Sequence, residues 1–468
     1  MTVLIALAAL ALLMLAAYRG YSVILFAPIA ALGAVLLTDP SAVAPAFTGV
    51  FMEKMVGFIK LYFPVFLLGA VFGKLIELSG FSRSIVAAAI RVLGTRQAML
   101  VIVLVCALLT YGGVSLFVVA FAIYPIAKSL FRAAHVPKRL IPPTIALGSF
   151  TFTMTALPGT PSIQNAIPIP YYGTNVFAAP GLGIIGGMTM LALGLWWLQS
   201  RAAKARVAGE GYGDHDDAVE QGLHDESGPA LHSRRDLPLL LALLPLVLVI
   251  AVNALLTYGV FPQMDLGFLK DRFPAVNPAK QTGLWALILS LAVACAALVL
   301  LGLGRWRNLK ESVNKGVLGS MLPIFNTASE VGYGAVIASL AGFAIIREAV
   351  LNVAPHNPLI SEAVAMNVLA GITGSSSGGL SIALSTLGKD YLAMAAQLGI
   401  SPELLHRVAV MAAGCFDTLP HSGAIITLLS ICGLTHRQSY GNIAIMTIGA
   451  PLLALVLVIT LGTMFGSF

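Results

Sequence analysis

Ala412-Ala413-Gly414-Cys415-Phe416-Asp417-Thr418-Leu419-Pro420-His421-Ser422-Gly423-Ala424 interrupts an apolar run from Val408 to Leu434. A helix needs about 20 apolar residues to cross a bilayer, and this run has them. Its middle nevertheless holds an acid, two hydroxyls, a proline and a histidine. Ionisable groups at bilayer depth mark substrate or ion paths. A helix broken by Pro and Gly is tolerated there only against protein or a watery cavity, because hydrocarbon offers nothing to freed backbone groups. The stretch reads as half of a transport site.

The rest of the chain supports a membrane setting. Hydrophobic residues make up 58% of 468 and charged residues 10%, with mean hydropathy +0.92. About a quarter of the residues in a soluble domain are charged, so the soluble classes are excluded. The expected fold is an all-α polytopic membrane protein. The net charge of +7 does not imply nucleic acid, since no basic run is interleaved with aromatics. Cys106, Cys295, Cys415 and Cys432 lie in apolar segments without metal-ligand spacing and read as small buried hydrophobes.

In order, spans are expected at 2–17, 21–37 and 61–78, with residues 41–60 as an interfacial connector. Thr2 to Ala17 lacks a positively charged leader and reads as a span rather than a secretory signal. Ser82 to Gly94 reads as an amphipathic surface helix carrying Arg83 and Arg91. Short apolar pieces then flank Thr110-Tyr111-Gly112-Gly113-Val114-Ser115, which suits a re-entrant hairpin at about 97–127. A broken helix follows at about 140–170. It is apolar to Phe152, interrupted at Thr153–Ser162 around Leu157-Pro158-Gly159-Thr160-Pro161, and expected to resume after Ile163. A plain span at 181–198 ends the first repeat, 1–199. Residues 200–236 are hydrophilic and read as a mobile cytoplasmic linker. Its His215, His224 and His232 lie among acids, where metal binding is conceivable and a solvated linker is the simpler reading.

The second repeat, 237–468, has the same order. Spans at 237–257 and 283–302 precede a basic amphipathic piece at 306–317 and a span at 318–343. A hairpin at about 360–390 turns at Thr373-Gly374-Ser375-Ser376-Ser377-Gly378-Gly379. The opening stretch lies in a broken helix at about 402–434, and a span at 442–464 closes the chain. Two broken helices, each behind a Gly-rich hairpin, indicate a transporter built of repeats. About ten transmembrane helices plus two hairpins, with an external N-terminus, put about 18 of the 27 Lys and Arg on the cytoplasmic side. Five spans per half make the repeats inverted.

Half-helix N-termini and small hydroxyls bind carboxylates without a fixed cation. No Lys or Arg lies within either break, so the breaks and hairpin tips form the expected substrate site. Its candidates are Tyr111, Gly112, Gly113, Ser115, Thr155, Gly159, Thr160, Ser162, Thr373, Ser375, Ser376, Ser377, Thr418 and Ser422. Asp417, His421 and Glu330 are the candidates for proton coupling. Their plainer alternatives are helix capping, a satisfied hydrogen bond and packing, respectively. No metal site and no cofactor are expected. The coupling ion is H+, with Na+ as the alternative.

These residues resemble the gluconate permease (gluconate:proton symporter) family of the ion-transporter superfamily. The likeness is carried by Leu109–Ser115, Leu157–Pro161, Gly399-Ile400-Ser401-Pro402-Glu403-Leu404 and Phe416–Gly423, and it covers nearly the whole chain. It implies secondary, proton-coupled transport of small organic acids across the bacterial inner membrane. It also implies inverted repeats, homodimers and elevator-like movement of the hairpin-containing domain. Sugar-acid permeases of the family tend to carry an acid beside the first hairpin's glycine, where this chain reads Gly112-Gly113. Their second break is usually richer in His and Asn. The departures favour a short hydroxy or keto monocarboxylate such as 3-hydroxybutyrate over gluconate. An intramembrane enzyme using Asp417 and His421 would leave the matched break at 157–162 unexplained.

Overall fold

The computed structural model describes residues 2–19, 21–94, 97–114, 116–213, 237–274, 276–303, 306 and 308–468. These residues form helices and loops, with no strand among them. The first half opens with α1 (Thr2–Tyr18) and α2 (Val23–Thr38). A continuous helical segment from Pro40 then leads into α3 (Met52–Ser79). The amphipathic α4 (Phe81–Leu93) ends at Gly94. Next come α5 (Ala98–Tyr111) and α6 (Leu116–Ala133), packed together as a hairpin. After α7 (Ile141–Ser149) and an unwound stretch, α8 spans Pro180–Val207.

The second half repeats the order. It comprises α9 (Leu239–Ala254), α10 (Pro278–Leu301), α11 (Leu309–Ser339) and α12 (Phe343–Leu351), the last bent 98° from α11. The hairpin α13 (Pro358–Thr373) and α14 (Ser376–Leu398) follows. Then come α15 (Pro402–Ala413), α16 (Gly423–Ile431), α17 (His436–Ala444) and α18 (Ala450–Phe465).

Packing runs in matched pairs. α1 lies on α2 as α9 lies on α10; α2 meets α11 as α10 meets α3; α12 meets α1 as α4 meets α9. α5 packs on α7 as α13 packs on α15, while α3 pairs with α11 and α8 with α18. Small residues let these backbones close. Ala27, Ala31 and Ala34 of α2 are buried together with Ala6 and Ala9 of α1.

Five helical segments are long and apolar enough to cross a membrane, or six if α11 and α12 count as one bent span. The chain is thus a polytopic membrane protein. The expected total of ten included two broken helices and also α1 and α2, whose 17 and 16 residues reach only about 25 Å at 1.5 Å per residue. Two connectors differ from expectation in the same way. Residues 41–60 and 309–317 continue as helix into α3 and α11. Their lysines made them read as interfacial, but no residue in them ends the backbone ladder. The linker starts later than residue 200, because α8 runs to Val207. Beyond it, Glu210 pairs with Arg139 (2.6 Å) and the Lys138 N–H donates to Tyr212 O. The histidines at 215, 224 and 232 lie outside the described residues.

Candidate functional site

The first broken helix does not resume as a long helix. Phe152–Thr155 is one turn, 156–162 is unwound, and Ile163–Ala166 and Ile169–Tyr172 are single turns. Pro168 and Pro170 remove two backbone donors, and Gly173, at φ +66°, ends the second turn. The second break is cleaner: α15 stops at Ala413 and α16 starts at Gly423, with 414–422 between them.

Each hairpin closes on the break of its own half. Gly113, at φ +98°, lies against Pro161, where an added Cβ would come within 3.0 Å of the proline ring. The Tyr111 hydroxyl donates to Pro158 O at 2.6 Å. In the other half Gly374, at φ +65°, leaves room for the His421 ring. The Ser422 hydroxyl donates to Gly374 O at 3.0 Å. The breaks also meet each other. A Cβ on Gly414 would stand 2.5 Å from Thr155 Cγ2, and Gln164 Nε2 donates to Ser376 Oγ at 2.9 Å. Ser376 in turn faces the Asp417 carboxyl. One chain of contacts therefore links the first break, the second hairpin and the second break.

Many expected hydroxyls are occupied by backbone. Thr153 donates to Gly148 O, Thr155 to Thr151 O, Ser162 to Met154 O and Thr373 to Leu369 O. Thr418 donates to Thr447 Oγ1 at 2.7 Å, and Ser375 Oγ accepts from the Gly378 N–H as the N-cap of α14. Freed backbone groups must find partners in a water-poor interior, and a neighbouring hydroxyl is the nearest source. The Gly159 N–H, at a glycine with φ +82°, is taken by Val176 O. Gly112 lies against Leu246. Ser115 is outside the described residues. Four polar atoms at or beside the meeting point are buried without partners: Thr160 Oγ1, Asp417 Oδ1, His421 Nε2 and Glu330 Oε2. Glu330 comes from α11, against Gly378, whose neighbour Ser377 lies 3.3 Å from Thr327.

The expectation of a site without a fixed cation fails. Arg407 of α15 is fully buried and reaches the first break from the other half of the chain. Its Nε and Nη2 donate to Ala178 O (3.1 and 2.8 Å), and its Nη1 donates to Thr155 O (3.1 Å). Asn165 completes the clamp by donating to Thr160 O (3.0 Å) and Val176 O (2.8 Å). Four carbonyls of the unwound segment are thus satisfied by two side chains. Asn165 Oδ1 accepts from Arg407 and lies 3.1 Å from His406 Nε2, which is therefore a donor. His406 Nδ1 faces the Thr174 hydroxyl at 2.6 Å. Glu362 of α13 is also buried; the Tyr172 hydroxyl donates to it, and its Oε2 has no partner. Sequence reading missed Gln164, Asn165, Glu362, His406 and Arg407. The available signal was a charge or amide in an apolar helix face, at Glu362 and at His406-Arg407 inside α15.

A helical membrane chain with two unwound helices, each covered by a hairpin, has an arrangement that membrane transporters use to hold a substrate. The chain belongs to the family of an uncharacterized transporter, YxjC of Bacillus subtilis (strain 168). It is 48% identical to that protein over 465 residues, covering 96% of each. No protein-family model matches it. In fold it is similar to MtrF of Neisseria gonorrhoeae, described as illuminating a class of antimetabolite efflux pumps. That likeness has a TM-score of 0.51 at 14% identity and covers 92% of this chain and 85% of the other.

Proposed function

We propose that the protein is a secondary active transporter for a small organic acid, coupled to protons and working across the inner membrane as two inverted repeats in a homodimer. The observation that carries this reading is the convergence of both breaks, through Gly414 and Thr155 and through Gln164 and Ser376, beside Asp417, whose Oδ1 has no partner among the described residues. Matched packing of the two halves supports the repeat, and its inversion rests on the five spans per half expected from the sequence.

Arg407 changes where the carboxylate belongs. It makes no salt bridge with a carboxylate among the described residues, and a buried cation lacking an anion favours one nearby. The substrate carboxylate therefore lies toward the first break, near Thr160, Tyr111 and the charge of Arg407. The coupling proton lies toward the second, at Asp417 with His421 beside it. Ser376 and Ser377, in the first turn of α14, receive the substrate's other polar groups. A small site with few free donors favours a short hydroxy or keto acid such as 3-hydroxybutyrate over a polyhydroxylated one, within the gluconate permease likeness. Elevator-like movement of the hairpins and breaks against α3 and α11 would carry the site across.

The test is uptake of a panel of labelled short carboxylates by proteoliposomes under an imposed proton or sodium gradient. Acid-driven accumulation of one or more hydroxy or keto acids is the expected result. Accumulation driven only by sodium would overturn the proton assignment. Failure of every acid, with monodisperse protein in the vesicles, would overturn the reading as a whole.

A further inference from the structure

We propose that Glu330 is a proton-binding group that controls the seating of the second hairpin on α11, so that the hairpin sits down with the proton bound and lifts when it leaves. This deepens the proton-coupled reading above by naming its moving contact. The contact is unusually close. A Cβ on Gly378 would overlap the Glu330 carboxyl. One turn further along both helices, a Cβ on Gly334 would come 2.8 Å from Ile382. Thr327 and Ser377 close the same seam at 3.3 Å. Seam residues thus recur at 327, 330 and 334 on one face of α11 and at 378 and 382 on one face of α14, with Ser377 flanking them in the first turn of α14.

The carboxyl is sealed inside this seam. Glu330 is 4% exposed, its Oε2 has no partner, and it makes no ion pair among the described residues. The elements packed on this part of α11 are α2, α3, α14 and the turn at 46–51. None of their described residues sets a charged or titratable side chain against the carboxyl. Tyr333 follows on α11 itself, and Asp417 lies by Ser376, the residue next to Ser377. A carboxylate so enclosed has neither water nor a cation, while the protonated acid is neutral and fits. Loss of the proton therefore favours opening the seam to hydrate the charge. Among the described residues α6 touches α3 only lightly, without a seat of this kind.

The experiment replaces the seam pair by Thr327→Cys and Ser377→Cys in the full chain and measures oxidative cross-linking in proteoliposomes from about pH 6 to about pH 9. It is run with Glu330 intact and with Glu330→Gln. Comparing the two at each pH cancels the reactivity of the thiols themselves. The expected result is equal cross-linking at the acid end and an at least threefold lower rate with Glu330 at the alkaline end. Equal rates at every pH would overturn the proposal. Gly378→Ala tests the seat without altering the acid: its methyl occupies the cradle, so cross-linking should be low throughout. Unchanged cross-linking in that variant would also overturn it. A pH-dependent seam in protein whose uptake ignores the proton gradient would overturn the coupling reading and leave the seat intact.

Discussion

Arg407→Met should loosen the first break while leaving the surrounding helices in place. Methionine fills similar volume but donates nothing, so Thr155 O and Ala178 O lose the partner the structure gives them. An unpartnered buried carbonyl costs about 1–3 kcal/mol, and hydrogen bonds to a charged donor contribute about 1.5–3 kcal/mol each. Against that loss stands relief from burying a guanidinium without a carboxylate partner, worth up to a few kcal/mol. The two carbonyls together cost about 2–6 kcal/mol, more than the relief returns, leaving a net loss of about 2–4 kcal/mol. Arg407→Lys keeps the charge but presents a point donor that cannot bridge both carbonyls, so it should fall between the two. The assay is the fraction of protein surviving heating as a monodisperse peak in detergent, and the midpoint for Arg407→Met should drop by about 2–4 °C in a chain of this length. If Arg407→Met and Arg407→Lys both melt with the parent, the clamp does not hold the break, and Arg407 must be explained by charge alone.

Other expectations follow from single contacts. Gly414→Ala should abolish transport, because its methyl would meet Thr155 Cγ2 at 2.5 Å; Thr155→Ser removes that carbon and keeps the hydroxyl, so the double variant should recover uptake in the same assay. Asp417→Asn should leave folding within about 1 kcal/mol of the parent and remove the dependence of uptake on the proton gradient, while retaining equilibrative exchange of labelled substrate. At the surface, Arg139 holds the Glu210 carboxyl below its ordinary value of 4.5 by a hydrogen bond. A depressed acid stabilises the fold above its unfolded value and stops doing so as pH falls through the folded one. Arg139→Gln should therefore lower stability at neutral pH by at most about 0.5–1 kcal/mol, the pair being partly exposed, and the difference should vanish in an acid-unfolding series as the pH falls through the lowered folded value.

The devices that break helices were legible because Gly and Pro act locally. Leu157-Pro158-Gly159, Gly112-Gly113 and Gly378-Gly379 each mark a turn or close approach that the structure contains. Continuity was harder to read. Lys54 and Lys60 suggested a connector, yet the backbone from Pro40 to Ser79 stays helical through Pro64. The resumption after Ile163 failed for a readable reason, Pro168 and Pro170, which lie inside the broken helix expected at about 140–170. Arg407 was out of reach for another reason: its partners Thr155 and Ala178 lie 252 and 229 residues away. No periodicity encodes a contact at that separation. The hydroxyls lie at the breaks and hairpin tips, but many of their protons go to nearby carbonyls, and only the tertiary structure tells which atoms are left over.

The clamp on the first break also imposes an order on synthesis. Thr155 and Ala178 enter the membrane long before Arg407 exists, and the ribosome must add more than 200 residues before the guanidinium can reach them. Until then the carbonyls at 155 and 178 need water or an insertase as a temporary partner. A nascent chain stopped before residue 400 should therefore present residues 150–180 as a protease-sensitive, water-accessible segment, and one released after residue 413 should not. The site's two halves are thus joined in time as well as in space, the earlier one waiting for the later to complete it.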